Sequence, residues 1–162
     1  MSDLQRILVV EDEPLLQQLV RRLLEEYRYE VITAGSGEEA IGHAIDAGLR
    51  LDLAILDVTL PGMDGPALAT HLPPATPVLF ISGYGDRRSR EDLGAHLMGK
   101  PFALDQLAAC VRDLLATGYC AACAPTHLTR RRDRGDTLWG ALAPAEPGQT
   151  ISDSDSQGRG ST

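Results

Sequence analysis

The chain has 162 residues, of which 43% are apolar, 23% are charged and only 4% are aromatic. This length and composition indicate one globular domain of ordinary size plus an appendage, with a core of aliphatic side chains. The formal charge of −8 arises within residues 1–117, where acidic residues outnumber basic ones, so a nucleic-acid interface, which needs clustered Lys and Arg, is not expected there.

The N-terminal segment and the cysteines indicate the compartment. Met1 to Arg6 show no basic region followed by an apolar stretch, and no run in the chain approaches the ~18 apolar residues of a membrane span. Three cysteines, an odd number, occur in a chain without a secretory signal, so we expect reduced thiols rather than a disulfide framework. We therefore expect a cytoplasmic protein that has no membrane partner.

The first two strand and helix pairs are predicted from apolar patterns. Ile7 to Val10 is a continuous apolar run, typical of a strand buried on both faces of a parallel sheet, and it ends in Glu11-Asp12-Glu13. An amphipathic helix is predicted from Pro14 to about Tyr27. Val31 to Ala34 forms the next strand, and a capping-box pattern then opens a helix that ends near Gly48, with Ser36 and Glu39 as its two members.

Three further strands each end in a polar residue. They are predicted at Leu51 to Leu56, before Asp57; at Pro77 to Ile81, before Ser82; and at His96 to Gly99, before Lys100-Pro101. Helical patterns accompany them at Gly65–His71, Arg87–Leu93 and Leu104–Thr117. Because each parallel crossover needs a connection of helix length, the alternation predicts an α/β fold, a doubly wound sheet of five parallel strands with helices on both faces.

The chain beyond Gly118 has few apolar residues, so we predict a domain boundary after residue 117 and a disordered tail over residues 118–162. Cys120 and Cys123, together with His127, resemble a metal knuckle, but no fourth ligand stands at a suitable spacing, which favours incidental cysteines. Asp133 and Asp136 reduce the local positive charge of the basic run from Arg130 to Arg132, which favours a solvated segment.

Five polar residues at the strand ends predict a chemical site. In a doubly wound sheet the carboxyl ends of the strands meet at one edge, which places together Glu11, Asp12, Asp57, Ser82 and Lys100. Three carboxylates would repel one another unless a divalent cation neutralised them, and an oxygen-only site suits Mg²⁺. A carboxylate can accept a phosphoryl group covalently, while Lys and Ser can bind its oxygens, so the pattern predicts phosphoryl capture.

Four segments in sequence order resemble the response-regulator receiver family: ILVVEDEP, LAILDVTLPGMDG, VLFISGYGD and LMGKPF, over about residues 5–117. The resemblance implies a flavodoxin-like sheet with strand order 2-1-3-4-5. It also implies two-component signalling, in which a histidine kinase or histidine phosphotransfer protein donates a phosphoryl group and a downstream protein, not identified by the sequence, is the target.

The resemblance also implies roles for individual residues. Asp57 would be the phosphoacceptor, and Mg²⁺ would be bound by Glu11, Asp12, Asp57 and the backbone carbonyl of Thr59. Ser82 and Lys100 would contact the phosphoryl oxygens, and Pro101 would follow a cis peptide bond.

Two departures from the family pattern affect how phosphorylation changes the surface. The intervals from Asp57 to Ser82 and from Ser82 to Lys100 are several residues shorter than in the chemotaxis receiver, which trims the third and fourth helices. The aromatic switch position, three residues before the lysine, is Leu97 here, while Tyr84 stands two residues after Ser82. Tyr84 is therefore a candidate for a kinetic or switch role, or a loop aromatic that covers the site.

Other functions fit the sequence less well. A phosphatase that uses an aspartyl-phosphate would have a second Asp two residues after the nucleophile, where this chain has Thr59. A receiver-like domain used only for interaction would lack an acid, the acceptor or the lysine, and all of these are present. The tail is too short and polar for a DNA-binding output domain, so we expect a non-enzymatic signalling domain that acts by docking, without direct DNA contact.

Overall fold

The computed structural model describes residues 4–86, 88 and 90–125. Within this part of the chain, one sheet of five parallel strands has the order β2-β1-β3-β4-β5, so the predicted fold and strand order are confirmed. The strands are β1 (Arg6–Val10), β2 (Glu30–Ala34), β3 (Leu53–Asp57), β4 (Val78–Ser82) and β5 (His96–Gly99).

The helices alternate with the strands and differ strongly in length. They are α1 (Pro14–Glu26), α2 (Gly37–Ala40), α3 (Gly65–Ala69), α4 (Arg90–Leu93) and α5 (Leu104–Thr117). The chain continues from α2 into a π-helical turn at Ile41–Ile45, in which the Asp46 N–H donates to the Ile41 carbonyl. Among the described residues no helix combines the length and the apolarity that a membrane crossing requires.

Alternate side chains of the buried strands form two separate cores. Leu8, Leu56 and Phe80 face the side covered by α2, α3 and α4, whereas Ile7 and Ile55 face α1 and α5. Successive side chains of a strand point to opposite faces, so a strand covered on both faces must be apolar at every position. The continuous apolar runs in the sequence are explained by this two-sided burial.

Residues 119–125 pack against the sheet, and we call this segment the C-terminal strap. Cys120, Cys123 and Ala124 are buried in it, and the Leu97 N–H of β5 donates to the Cys123 carbonyl at 2.9 Å. The boundary predicted after residue 117 is therefore too early, because small residues pack there although the composition is poor in large apolar ones. The remainder of the predicted tail, including His127 and Arg130 to Arg132, lies outside the described residues.

Candidate functional site

Three carboxylates meet at the carboxyl edge of the sheet, and we call Glu11, Asp12 and Asp57 the acidic site. Glu11 directly follows β1 and Asp57 ends β3, and the two residues are each 4% exposed. Asp12 is exposed at the mouth of the site. One carboxylate oxygen from each residue lies within 4.8 Å of the others, so the structure places together the acids that the strand ends predicted.

The ammonium of Lys100 lies between the two buried carboxylates. Lys100 directly follows β5, and its Nζ donates to Asp57 Oδ2 at 2.6 Å and contacts Glu11 Oε2 at 2.9 Å. Burial lowers the pKa of Lys100, but the bonds to Asp57 and Glu11 outweigh it and the pKa is raised on balance. Burial raises the pKa of Glu11, and the contact with Lys100 offsets part of that rise.

Backbone amides hold the two buried carboxylates in place, and a side-chain amide links the ends of β1 and β2. The Thr59 N–H donates to Asp57 Oδ1 at 2.8 Å, and the Glu13 N–H donates to Glu11 Oε1 at 3.1 Å. Gln17 of α1 donates from Nε2 to the carbonyls of Glu11 and Ala34, both at 2.9 Å. Gln17 was not among the predicted site residues, because a polar side chain inside a helical pattern gives no sign that it bonds to two strand ends.

Gly65 allows α3 to begin directly against Asp57. Its N–H donates to the Val58 carbonyl at 3.1 Å. A Cβ atom built at Gly65 would overlap the backbone carbonyl oxygen of Asp57, so no larger residue fits without a backbone shift. Asp64 caps α3 by accepting from the Ala67 N–H at 2.9 Å. The short loop after Asp57 is therefore held at both ends.

Ser82 and Lys100 are joined through their backbones. Ser82 ends β4, half-buried, and its carbonyl accepts from the Lys100 N–H at 2.7 Å. The Lys100–Pro101 peptide bond is cis, as the resemblance implied. The two residues expected to contact phosphoryl oxygens thus stand side by side next to Asp57.

The two switch candidates occupy different environments. Tyr84, in the loop after β4, is 95% exposed, whereas Leu97 is 8% exposed and packs in the core under α2, α3 and α4. In the same loop Arg88 donates from Nη1 to Asp64 Oδ2 at 3.1 Å and bonds to Asp86. No local pattern in the sequence indicates the ion pair between Arg88 and Asp64, which connects this loop to the start of α3.

The acidic site fits a magnesium ion by its donor chemistry. Mg²⁺ prefers oxygen ligands and usually keeps several waters, which suits two buried carboxylates and one at the solvent-facing mouth. With the acids ionised, three carboxylates against the one ammonium of Lys100 leave two negative charges, which one divalent cation would neutralise. Glu11, Asp12 and Asp57 are the side chains that would hold it.

A family model described as the response regulator receiver domain matches residues 7–112. Among curated proteins, the transcriptional regulatory protein TcrA of Mycobacterium tuberculosis is 42% identical over 120 residues, which cover 70% of this chain and 47% of TcrA. This chain thus spans about half the length of that relative.

Solved structures show the same similarity. A response regulator receiver domain protein from Clostridium thermocellum matches with a TM-score of 0.63 at 26% identity, covering 70% of this chain and 95% of that one. The receiver domain of the hybrid histidine kinase CckA matches with a TM-score of 0.58 at 39% identity, covering 68% and 98%. The segment matched by the family model contains the whole acidic site, Ser82 and Lys100.

Proposed function

The chain belongs to the response-regulator receiver domain family, and on that basis we propose that Asp57 accepts a phosphoryl group from a histidine kinase or a histidine phosphotransfer protein in a Mg²⁺-dependent reaction. The observation that supports this best is the arrangement around Asp57 Oδ2, which lies 2.6 Å from Lys100 Nζ within a group of three carboxylates. A lone carboxylate at a strand end would need neither the neighbouring acids nor the ammonium.

The two carboxylate oxygens of Asp57 have different hydrogen-bond donors in the proposed transfer. Thr59 N–H holds Oδ1 and Lys100 holds Oδ2, so the carboxylate is oriented before a donor arrives. One carboxylate oxygen forms a bond to phosphorus while the bond from phosphorus to the donor's imidazole nitrogen breaks, and that nitrogen keeps the electron pair. Bound Mg²⁺ would neutralise the acids and the incoming phosphoryl charge.

After transfer, the protein's own donors would bind the new phosphoryl oxygens. We propose that Lys100 Nζ bonds to one of them and the Ser82 hydroxyl to another. Ser82 ends β4, which pairs with β3, and Lys100 follows β5, from which its Nζ reaches Asp57. Phosphorylation adds roughly −1.5 to −2 charge and three acceptor oxygens, which would draw these two residues inward. Their loops would move with them and alter a docking surface for a downstream protein.

The proposal also covers enzymatic activity, compartment and output. Apart from phosphoryl capture and slow self-dephosphorylation, we propose no enzymatic activity. We place the protein in the cytoplasm and propose protein docking, rather than direct DNA contact, as its output. The net charge of −8 disfavours a nucleic-acid partner.

The test is phosphorylation by a small phosphodonor such as acetyl phosphate, followed by intact-mass analysis. We expect one phosphoryl group on the wild-type chain with Mg²⁺, none in excess chelator, and none on Asp57→Asn. Asp46→Asn is the matched control, because Asp46 is exposed beyond the π-helical turn and should leave labelling unchanged. Full labelling of Asp57→Asn, or of the wild type in chelator, would refute the proposal.

A further inference from the structure

Three cysteine side chains meet away from the acidic site, and we call Cys110, Cys120 and Cys123 the thiol cluster. Cys110 belongs to α5, and the other two belong to the C-terminal strap. Their Sγ atoms all lie within 4.8 Å of one another, with 2.9 Å between Cys110 and Cys123 and 3.7 Å between Cys120 and Cys123. The residues are at most 2% exposed, so the sulfurs meet in a place closed to solvent.

The strap forms a turn from Cys120 to Ala124 that brings the sulfurs of Cys120 and Cys123 together with that of Cys110. The N–H groups of Cys123 and Ala124 both donate to the Cys120 carbonyl, at 3.2 and 2.9 Å. Burial raises the pKa of the Cys120 thiol, and a hydrogen bond from the Ala122 N–H to its sulfur offsets part of that rise. A Cys-x-x-Cys turn with a backbone donor on sulfur is the local geometry of a metal knuckle.

The fold adds a third ligand that the sequence spacing did not indicate. Cys110 lies ten residues before Cys120, on a helix, and its sulfur reaches the knuckle only because the strap turns back onto α5. His96 fixes the strap from the other side, since its Nε2 accepts from the Cys120 N–H at 3.2 Å. The three sulfurs are thus positioned by a helix, a turn and a strand.

We propose that the thiol cluster binds one soft, thiophilic metal ion of the Zn²⁺ or Cu⁺ class through its three sulfur atoms. Thiolates select these ions over the hard cations that suit carboxylates, so the site is chemically distinct from the acidic site. Each ligating thiol releases its proton to solvent, and the charge of the ion offsets part of the cost of burying the thiolates. A disulfide would engage only two of the three sulfurs that meet here.

Metal binding tests the proposal on the full-length chain, purified reduced and metal-free. One equivalent of Zn²⁺, or of Cu⁺ supplied as a chelate, is added, and the metal-to-protein ratio is measured after desalting. We expect one retained ion per wild-type chain and a raised Tm, because an ion that binds only the folded state stabilises it. Three sulfurs complete a Cu⁺ site but leave one position of a Zn²⁺ site open, so retention of Cu⁺ alone would identify the three-sulfur ion and support the proposal.

Matched variants separate the two candidate sites. Cys120→Ser should lose the retained ion while circular dichroism shows a folded chain, and Asp57→Asn, which removes a carboxylate of the acidic site, should keep it. Retention of neither ion by the reduced wild type, equal retention by Cys120→Ser, or loss in Asp57→Asn would overturn the proposal.

A measurement on the wild-type chain covers the case in which the cysteine variant does not fold. The ion that is retained supplies the signal: a Cu⁺-loaded chain should show ultraviolet thiolate-to-copper charge-transfer absorption, and where Zn²⁺ is retained, Co²⁺ in its place should show thiolate-to-cobalt absorption. Absence of the band for the retained ion would contradict the site. A chain that is purified without reductant as a Cys110–Cys123 disulfide, and that binds neither ion once reduced, would also overturn the proposal.

Discussion

At the scale of single residues, the ammonium of Lys100 compensates buried charge. It contacts two carboxylates whose side chains are each 5% exposed, and truncating it would leave both without that partner. Removing one partner of a buried ion pair costs more than the pair itself contributes, because the remaining charge stays desolvated. The lysine therefore has a structural role before any phosphoryl group arrives.

Lys100→Ala should lower the free energy of unfolding by roughly 2–4 kcal/mol without Mg²⁺, and by less with Mg²⁺ present, since the cation supplies the missing positive charge. We expect the variant to bind Mg²⁺ but not to convert phosphorylation into a change of hydrogen exchange in the loops after β4 and β5. Denaturant unfolding with and without Mg²⁺, and hydrogen exchange before and after phosphorylation, measure the two effects. Lys100→Arg, which keeps the charge, should recover the stability; an exchange response in Lys100→Ala equal to that of wild type would count against this role.

Gly65→Ala should be strongly destabilising, because the new Cβ would overlap the carbonyl oxygen of Asp57. We expect a loss of about 2–4 kcal/mol in the free energy of unfolding, together with slower phosphorylation as the loop from Asp57 to Asp64 shifts. Gly42→Ala is the matched control, since nothing lies within 4 Å of a Cβ there and the change should be neutral or stabilise by about 0.5–1 kcal/mol. If the two substitutions had equal effects in denaturant unfolding, the close contact between position 65 and the Asp57 carbonyl would not limit the residue that fits there.

At the scale of elements, the two switch candidates lie on different parts of the fold: Tyr84 is in the loop after β4 and Leu97 is in β5. Leu97→Ala should cost about 2–4 kcal/mol of stability because it opens a cavity, whereas Tyr84→Ala should change stability by less than ~0.5 kcal/mol. We nevertheless expect Tyr84→Ala to change the phosphoryl half-life more, because Tyr84 lies two residues after Ser82 on the loop that would move. The half-life of the labelled chain decides between them: an altered half-life in Leu97→Ala with none in Tyr84→Ala would refute this expectation.

The elements differ in how far they could be predicted from the sequence. The strands were predicted to within two residues, because a strand buried on both faces is a continuous apolar run that stops at a polar residue. The strand-end rule likewise placed Glu11, Asp57 and Lys100 together. Local patterns fix such features, so one sequence is enough to find them.

Features that depend on contacts between distant residues could not be predicted in this way. The helix predicted from Ser36 to near Gly48 passes into a π-helical turn around Gly42, which no residue preference indicates. The ion pair from Arg88 to Asp64 joins residues 24 apart in sequence and has no local pattern. α3 ends at Ala69, short of the predicted His71, before the turn at Pro73.

At the scale of the whole molecule, the folded unit includes the C-terminal strap. Truncation after Gly118 should lower the free energy of unfolding by roughly 2–4 kcal/mol, because it uncovers apolar surface where Cys120, Cys123 and Ala124 are buried. Truncation after Pro125 keeps all of these contacts and should leave both stability and phosphoryl acceptance unchanged. Thermal unfolding of the two truncated chains is the measurement, and equal Tm values would show that the strap adds no stability.

The hydrogen bond from the Leu97 N–H to the Cys123 carbonyl also bears on solubility. β5 is an edge strand, and an edge strand with open backbone groups is a template on which a second chain can add its own strand. The strap lies on this edge and occupies one of those groups, so the chain protects part of its own sheet from intermolecular pairing. A chain that lacks the strap would therefore be prone to aggregate through β5 while its acidic edge, at the carboxyl ends of the strands, is still formed.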